Sequence, residues 1–273
     1  MERPHEPPDI SSTVLWLQGP RFFVDLRLPA GRPNFTNIGC LRQLQVPQLK
    51  WLAGQQGFAG RLRLDGDLAW WRRGIDFQPP THTADRARLR LAGEILEERG
   101  TEACYLEHWE RESGPLEPAF GLKLRGTNRR DQGYLVRVGN HFMYARARRQ
   151  PLPAAFNLLA LLDSTLDLTT KQELLDFEIS FGRIDHSVWR VERSSLPFRE
   201  GTAITPTPQP QLDRFSINDI HGGGETFVRP WIVVERDTPS LKQSDLTRAV
   251  VQPNPTPAAS RLVGRSANER DAP

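Results

Sequence analysis

The sequence predicts a mainly β fold: an antiparallel barrel of about ten strands, with one late helical insertion and a disordered C-terminal tail. Three observations predict it. Polar and apolar residues alternate over short runs, as in Phe22, Val24, Leu26 and Leu28 against Phe23, Asp25 and Arg27, which is the two-residue period of a strand. Successive runs flank short turn signals, which join neighbours as hairpins. Hairpins dominate with no sign of Greek-key crossovers, and closing such a sheet into a barrel removes its edges. A two-sheet sandwich is the alternative.

The elements follow in chain order. Val14–Gln18 and Phe22–Leu28 are expected strands across the Gly19-Pro20 turn. Pro47–Ala53 suits one or two helical turns. Phe58–Leu64 and Leu68–Phe77 flank Asp65-Gly66-Asp67, and Leu89–Glu98 and Cys104–Arg111 flank Arg99-Gly100-Thr101. Gly121–Arg125, Tyr134–Val138 and His141–Arg146 continue the pattern, the last two joined at Gly139-Asn140. Ala154–Leu162 and Thr170–Phe177 carry apolar residues at helical spacing. Thr169 or Thr170 is the expected cap of the second helix, with Glu173 near its positive end. A short strand after Phe181 and a strand at Ser187–Arg193 finish the body.

These readings divide the chain into a disordered lead-in (1–12), a barrel domain (13–201), a linker with a docking strand (202–236) and a disordered tail (237–273). The linker is the proline-rich stretch 202–211. The docking strand lies in the apolar island Phe215–Val234. The tail has too few large apolar groups to offset the entropy of ordering it.

Composition excludes several classes of function. Of 273 residues, 38% are hydrophobic and 25% charged, which is the balance of a soluble globular protein. The net charge is +3, and lysine occurs only at 50, 123, 171 and 242. Arginine thus carries nearly all the positive charge, without the dense basic run that a nucleic-acid partner calls for. No eighteen-residue apolar run exists to span a membrane, and the N-terminus lacks the apolar region of a signal peptide. Two cysteines, Cys40 and Cys104, make neither a disulfide framework nor a cysteine-rich metal site. The expectation is a cytoplasmic protein with reduced thiols, no nucleic-acid or membrane partner, and a small molecule as ligand.

Trp16-Leu17-Gln18, followed by Phe23-Val24-Asp25-Leu26-Arg27-Leu28-Pro29, resembles the first hairpin of lipocalin-like proteins. The stretch Gly93 to Glu98, then Gly100 and Tyr105-Leu106-Glu107-His108-Trp109, is similar to an E-x-G … aromatic-x-E-x-W pattern in a fungal family of lipocalin-like barrels. The resemblance covers about residues 14–146, and it implies a calycin-type barrel rather than a particular activity.

Candidate site residues come from strand faces of mixed character. On Cys104–Arg111, Tyr105, Glu107, Trp109 and Arg111 share one face. On Phe22–Leu28, Asp25 and Arg27 share a face with Phe23. If these faces point inward, Asp25, Arg27, Glu107 and Trp109 converge on Trp16 and Gln18, and Arg27 is the partner that a buried carboxylate requires. If they point outward, they are solvated surface. Trp70 and Trp71 must face opposite ways, and Trp71 is taken as a ligand wall. Asp76, before Pro79-Pro80, either sits at a barrel mouth or anchors a turn through its amides.

No histidine falls in a metal-binding pattern. His108 and His141 lie on expected strands, where a hydrogen-bonded role competes with axial ligation of haem. No cofactor is predicted, with haem as the alternative. His221-Gly222-Gly223-Gly224 is similar to an esterase oxyanion loop, but no G-x-S-x-G elbow accompanies it. It reads as a flexible loop.

Two functions follow. The first is a barrel holding a partly apolar small molecule at Trp16, Gln18, Arg27, Trp71, Trp109 and His141. The second is a cofactor-free isomerase, cyclase or hydrolyase in the same cavity. There Glu107 is the acid or base, Asp25 and Asp76 are further candidates, and Tyr105 donates a hydrogen bond. A third reading makes the tail a protein-interaction segment.

Overall fold

A computed structural model describes residues 11–80, 83–211 and 213–238. The chain is mainly antiparallel β, arranged as two curled sheets that form half-barrels. The first sheet is a meander in sequence order: β1 (Thr13–Gln18), β2 (Phe22–Leu28), β3 (Gln56–Asp65), β4 (Leu68–Asp76), β5 (Arg86–Ala92), β6 (Ile95–Gly100) and β7 (Leu106–Glu110). The second uses β8 (Ala119–Gly126), β9 (Gln132–Val138), β10 (His141–Arg146), β11 (Glu178–Asp185), β12 (Val188–Ser194), β13 (Thr207–Pro208), β14 (Arg214–Ile220) and β15 (Thr226–Asp237). Its spatial order is β12-β11-β10-β9-β8-β15-β14-β13.

One barrel of about ten strands is therefore replaced by two sheets of seven and eight strands. The expected run Leu89–Glu98 is not one strand. It breaks at Gly93, whose φ of 65° makes a tight turn between β5 and β6. The segment after residue 202 supplies more than one docking strand. Antiparallel β14 and β15 both form, and β15 pairs with β8 inside the second sheet. Residues 1–10 of the expected lead-in (1–12) and 239–273 of the expected tail (237–273) lie outside the described residues, and Asp237 is the last residue of β15.

Alternation along the strands creates three cores. Leu15, Leu17, Phe22, Val24 and Leu26 of the first sheet pack against Val136, Met143, Ala145, Ile179 and Phe181 of the second. This shared core joins the half-barrels back to back. The other face of each sheet curls around its own interior. Trp16, Phe23, Phe58, Trp71 and Trp109 fill part of the first, and Phe142, Tyr144, Trp189, Phe215 and Trp231 fill part of the second. At roughly 1.5–3 kcal/mol for each large apolar side chain buried, these three cores dominate the stabilisation.

A β-bulge helps to curl the first sheet. The β3–β4 register shifts between Ala59 and Gly60, so Ala59 faces Ile75 while Gly60 faces Arg73. A Cβ at Gly60 would lie 2.0 Å from the Arg72 carbonyl oxygen. Only glycine lets the strands approach this closely.

Three helices cover one end of the shared core. α1 (Val46–Ala53) begins at a reciprocal Gln45–Gln48 capping box with Pro47 in its first turn, and it buries Leu49, Leu52 and Ala53. α2 (Leu158–Ser164) is capped by Asn157, which accepts from the Ala160 amide at 2.8 Å. α3 (Leu168–Leu174) is capped by Asp167 rather than Thr169 or Thr170, since a carboxylate reaches the Thr170 amide at 2.6 Å.

Candidate functional site

The two edges of the first sheet meet through side chains. Trp16 on β1 and Trp109 on β7 pack edge to face, with ring centroids 5.1 Å apart. Arg27 on β2 reaches across to Glu107 on β7 with two hydrogen bonds, at 2.5 and 3.1 Å. These contacts form part of the wall of a half-open chamber of about 400 Å³, which is within the size range of small-molecule sites. Trp16, Trp71, Trp109 and Phe58 supply its aromatic walls, and Asp25, Arg27, Glu98, Tyr105 and Glu107 its polar groups.

Strand register explains the convergence. Trp16 faces Asp25 across β1–β2, Asp25 faces Phe58 across β2–β3, and Glu98 faces Glu107 across β6–β7. Facing residues share one side of a sheet. Asp25 is buried, and the Arg27 Nε–H donates to it at 3.1 Å. Burial pushes the Asp25 carboxyl up to about 6, against the lowering effect of Arg27. Burial alone would lower the Arg27 pKa, but Asp25 and Glu107 outweigh it and hold the guanidinium firmly charged.

Among the described residues, no cation is bonded to Glu98. It is 5% exposed, and its oxygens accept from the Tyr105 hydroxyl at 2.8 Å and the Trp109 Nε1–H at 3.0 Å. Burial, with the nearby Glu107 charge adding to it, raises its pKa to about 8. The Tyr105 phenol is pushed up as well, by burial and by Glu98. The Trp16 Nε1–H is buried and has no hydrogen-bond partner among the described residues.

Other candidates lie elsewhere. Gln18 does not line the chamber. Its amide donates to the Gly19 and Phe22 carbonyls, and it borders a neighbouring apolar cavity of about 370 Å³ whose walls include Trp16, Leu62 and Leu96. Asp76 accepts from Arg73 at 2.8 Å and from the Gln78 amide at 3.0 Å, which is the turn-anchoring arrangement. It borders a wider groove. His141 is on β10, stacked on Phe181, with its Nε2 3.3 Å from Glu112, and burial lowers its pKa. His108 lies on the face of β7 opposite Glu107 and Trp109, 3.9 Å from Glu97. Neither histidine lines the chamber. Trp70 turns away from Trp71, between the guanidinium groups of Arg72 and Arg86.

Glu98, Phe58 and Arg73 were not among the sequence candidates. Glu98 had a readable signal, because it precedes the Arg99-Gly100-Thr101 turn and pairs with Glu107 when that hairpin is closed. Arg73 had none, since the bulge beside Gly60 resets the alternation of β4.

The second half-barrel holds buried charge in compensated form. Glu178 accepts from the Arg199 Nε–H at 2.9 Å, and Arg229 bridges Asp219 and Asp131. Arg146 donates to Asp176 at 2.7 Å.

No protein-family profile matches the chain, and no curated protein matches it. One solved structure does, the uncharacterized protein YLR301w from Saccharomyces cerevisiae. It is 12% identical, with a TM-score of 0.39, over 82% of this chain and 99% of that one.

Proposed function

We propose that the protein binds a small, partly apolar molecule in the chamber of its first half-barrel. The observation that carries this reading is the chamber itself, with three tryptophans around a convergent set of polar groups in a space of about 400 Å³. Such a mixture of apolar wall and few polar groups marks small-molecule sites in general.

The test is intrinsic fluorescence, because Trp16, Trp71 and Trp109 all line the chamber. A library of small amphipathic molecules is titrated against the parent and against Gln56→Phe, which places a bulky, non-reporting side chain at the open side of the chamber. Saturable quenching in the parent, lost in the variant, supports the site. Quenching that persists unchanged in the filled variant counts against it.

A second reading has a specific observation in its favour. Glu98 is a carboxyl kept protonated near neutrality, which is what a general acid requires. In a cofactor-free isomerase, cyclase or hydrolyase, Glu98 rather than the arginine-bound Glu107 is the proton donor. On an identified substrate, Glu98→Gln then lowers kcat at least about a hundredfold, and unchanged turnover excludes the role.

A further inference from the structure

We propose that the chamber takes a small organic cation, an ammonium group on an apolar body, with Glu98 as its counter-ion and Trp16 and Trp71 as its aromatic wall. This rests on the reading that the chamber is a ligand site, and it specifies the chemistry of the ligand.

The charge balance of the chamber points there. Arg27 lies between two carboxylates, Asp25 and Glu107. Arg73 likewise lies between Asp76 and Asp85, and Asp85 also lines the chamber. Each arginine is therefore outnumbered by its carboxylates, and neither is left over for an anionic ligand. Glu98 is a fourth acidic group on the chamber wall, beside Asp25, Asp85 and Glu107, and its hydrogen bonds come from the neutral donors Tyr105 and Trp109. A buried carboxylate without a cation is costly. Two solutions exist: the carboxyl keeps its proton, or a cation arrives.

The aromatic groups divide in the same way. Arg73 already covers the Phe58 ring at 3.6 Å, and Arg27 lies 5.9 Å from the rings of Phe58 and Trp109. Trp16 and Trp71, 6.1 Å apart and edge to face, have no protein guanidinium over them among the described residues. Tryptophan is the best ring for a cation–π contact, and desolvation strengthens that contact. An ammonium beside Glu98 gains a charge-assisted hydrogen bond as well. A leucine-lined cavity adjoins the chamber across Trp16, which is a wall of both.

Calorimetry with three near-isosteric probes on the intact protein at pH 7 tests this. The probes are phenethylammonium, 2-phenylethanol and phenylacetate. The expected result is that the ammonium binds at least about tenfold more tightly than the alcohol and that the carboxylate does not bind. Because Glu98 is protonated before binding, the ammonium expels close to one proton, read by comparing buffers of different ionisation enthalpy. In Glu98→Gln the ammonium falls to the affinity of the alcohol, and the alcohol still binds. That retained binding shows that the chamber has folded. If the variant does not fold, the charge preference and proton release of the parent decide.

Equal binding of alcohol and ammonium, or a preference for the carboxylate, overturns the cation proposal and leaves the ligand site standing. Binding of none of the three also overturns it. The ligand site is then judged separately by the quenching of the filled variant.

Discussion

Glu98 and Glu107 face each other on adjacent strands, and the two carboxyl groups are handled differently. Like charges directly opposite on a sheet repel. Glu107 accepts two hydrogen bonds from the Arg27 guanidinium. Glu98, deeper and without a guanidinium, is held towards the neutral form. One cross-strand pair thus contains both a structural ion-pair member and a chemically available acid.

That asymmetry makes stability depend on pH. The folded pKa of Glu98, about 8, lies above its ordinary value of 4.5. The native state therefore holds an extra proton between these values, and stability falls as pH rises across that window. Glu98→Gln removes this loss. Urea denaturation is expected to show similar stability for parent and variant near pH 4.5. Above pH 8 the variant is expected to be more stable, by up to roughly 4 kcal/mol. A variant less stable than the parent at both pH values contradicts the assignment.

Arg27 is the cation on which the chamber depends. Arg27→Met leaves Asp25 and Glu107 without their partner, at a cost of about 2–4 kcal/mol, since breaking a buried pair strands its charge. Asp25 is already raised to about 6 with Arg27 present, and without it the carboxyl rises further. The loss is therefore larger at pH 8 than at pH 5. A loss independent of pH contradicts this. Adding Asp25→Asn should recover part of the stability at pH 8.

Much of the chamber was legible in the sequence. Strand alternation put Asp25 and Arg27 on one face and Tyr105, Glu107 and Trp109 on another, and the fold brings these together with Trp16 and Trp71. Gln18 shares the face of Trp16 but lies one pair further along, where its amide serves the turn at Gly19. His141 was drawn in because it lies on a strand, yet that strand belongs to the other sheet. The division into two sheets was not legible, because hairpin signals specify neighbours and not where a meander ends. Nor was the place of β15, whose partner β8 lies about a hundred residues earlier.

The bulge at Gly60 is the next point of failure. Gly60→Ala forces its Cβ into the Arg72 carbonyl, so the strands must separate. Thermal unfolding should show a loss of at least about 2 kcal/mol, in the range of strained backbone substitutions. Arg73 is the residue facing Gly60, so the chamber should also lose affinity. An unaffected melting temperature removes the bulge from the account of curling.

The second half-barrel should fail through its ion network. Arg199 is 2% exposed and bonded to Glu178. Arg199→Leu leaves Glu178 without that bond, and about 3–5 kcal/mol of stability should go with it. The measurement is the denaturation midpoint. A change below about 1 kcal/mol indicates that the Ser180 hydroxyl, which donates to Glu178 at 2.7 Å, and Arg146, 3.9 Å away, are sufficient partners for it.

The pKa of Glu98 itself tests the chamber most directly. It is read by NMR titration of the ¹³C-labelled glutamate carboxyls, with Glu98→Gln identifying the resonance. A buried Glu98 with no cation bonded to it predicts a midpoint of about 8 in the ligand-free protein, moving down when phenethylammonium is added. A midpoint near the ordinary 4.5, unmoved by the ammonium, means that Glu98 is solvated or already paired. Both the ligand chemistry and the pH-dependent stability inferred for the first half-barrel are then wrong.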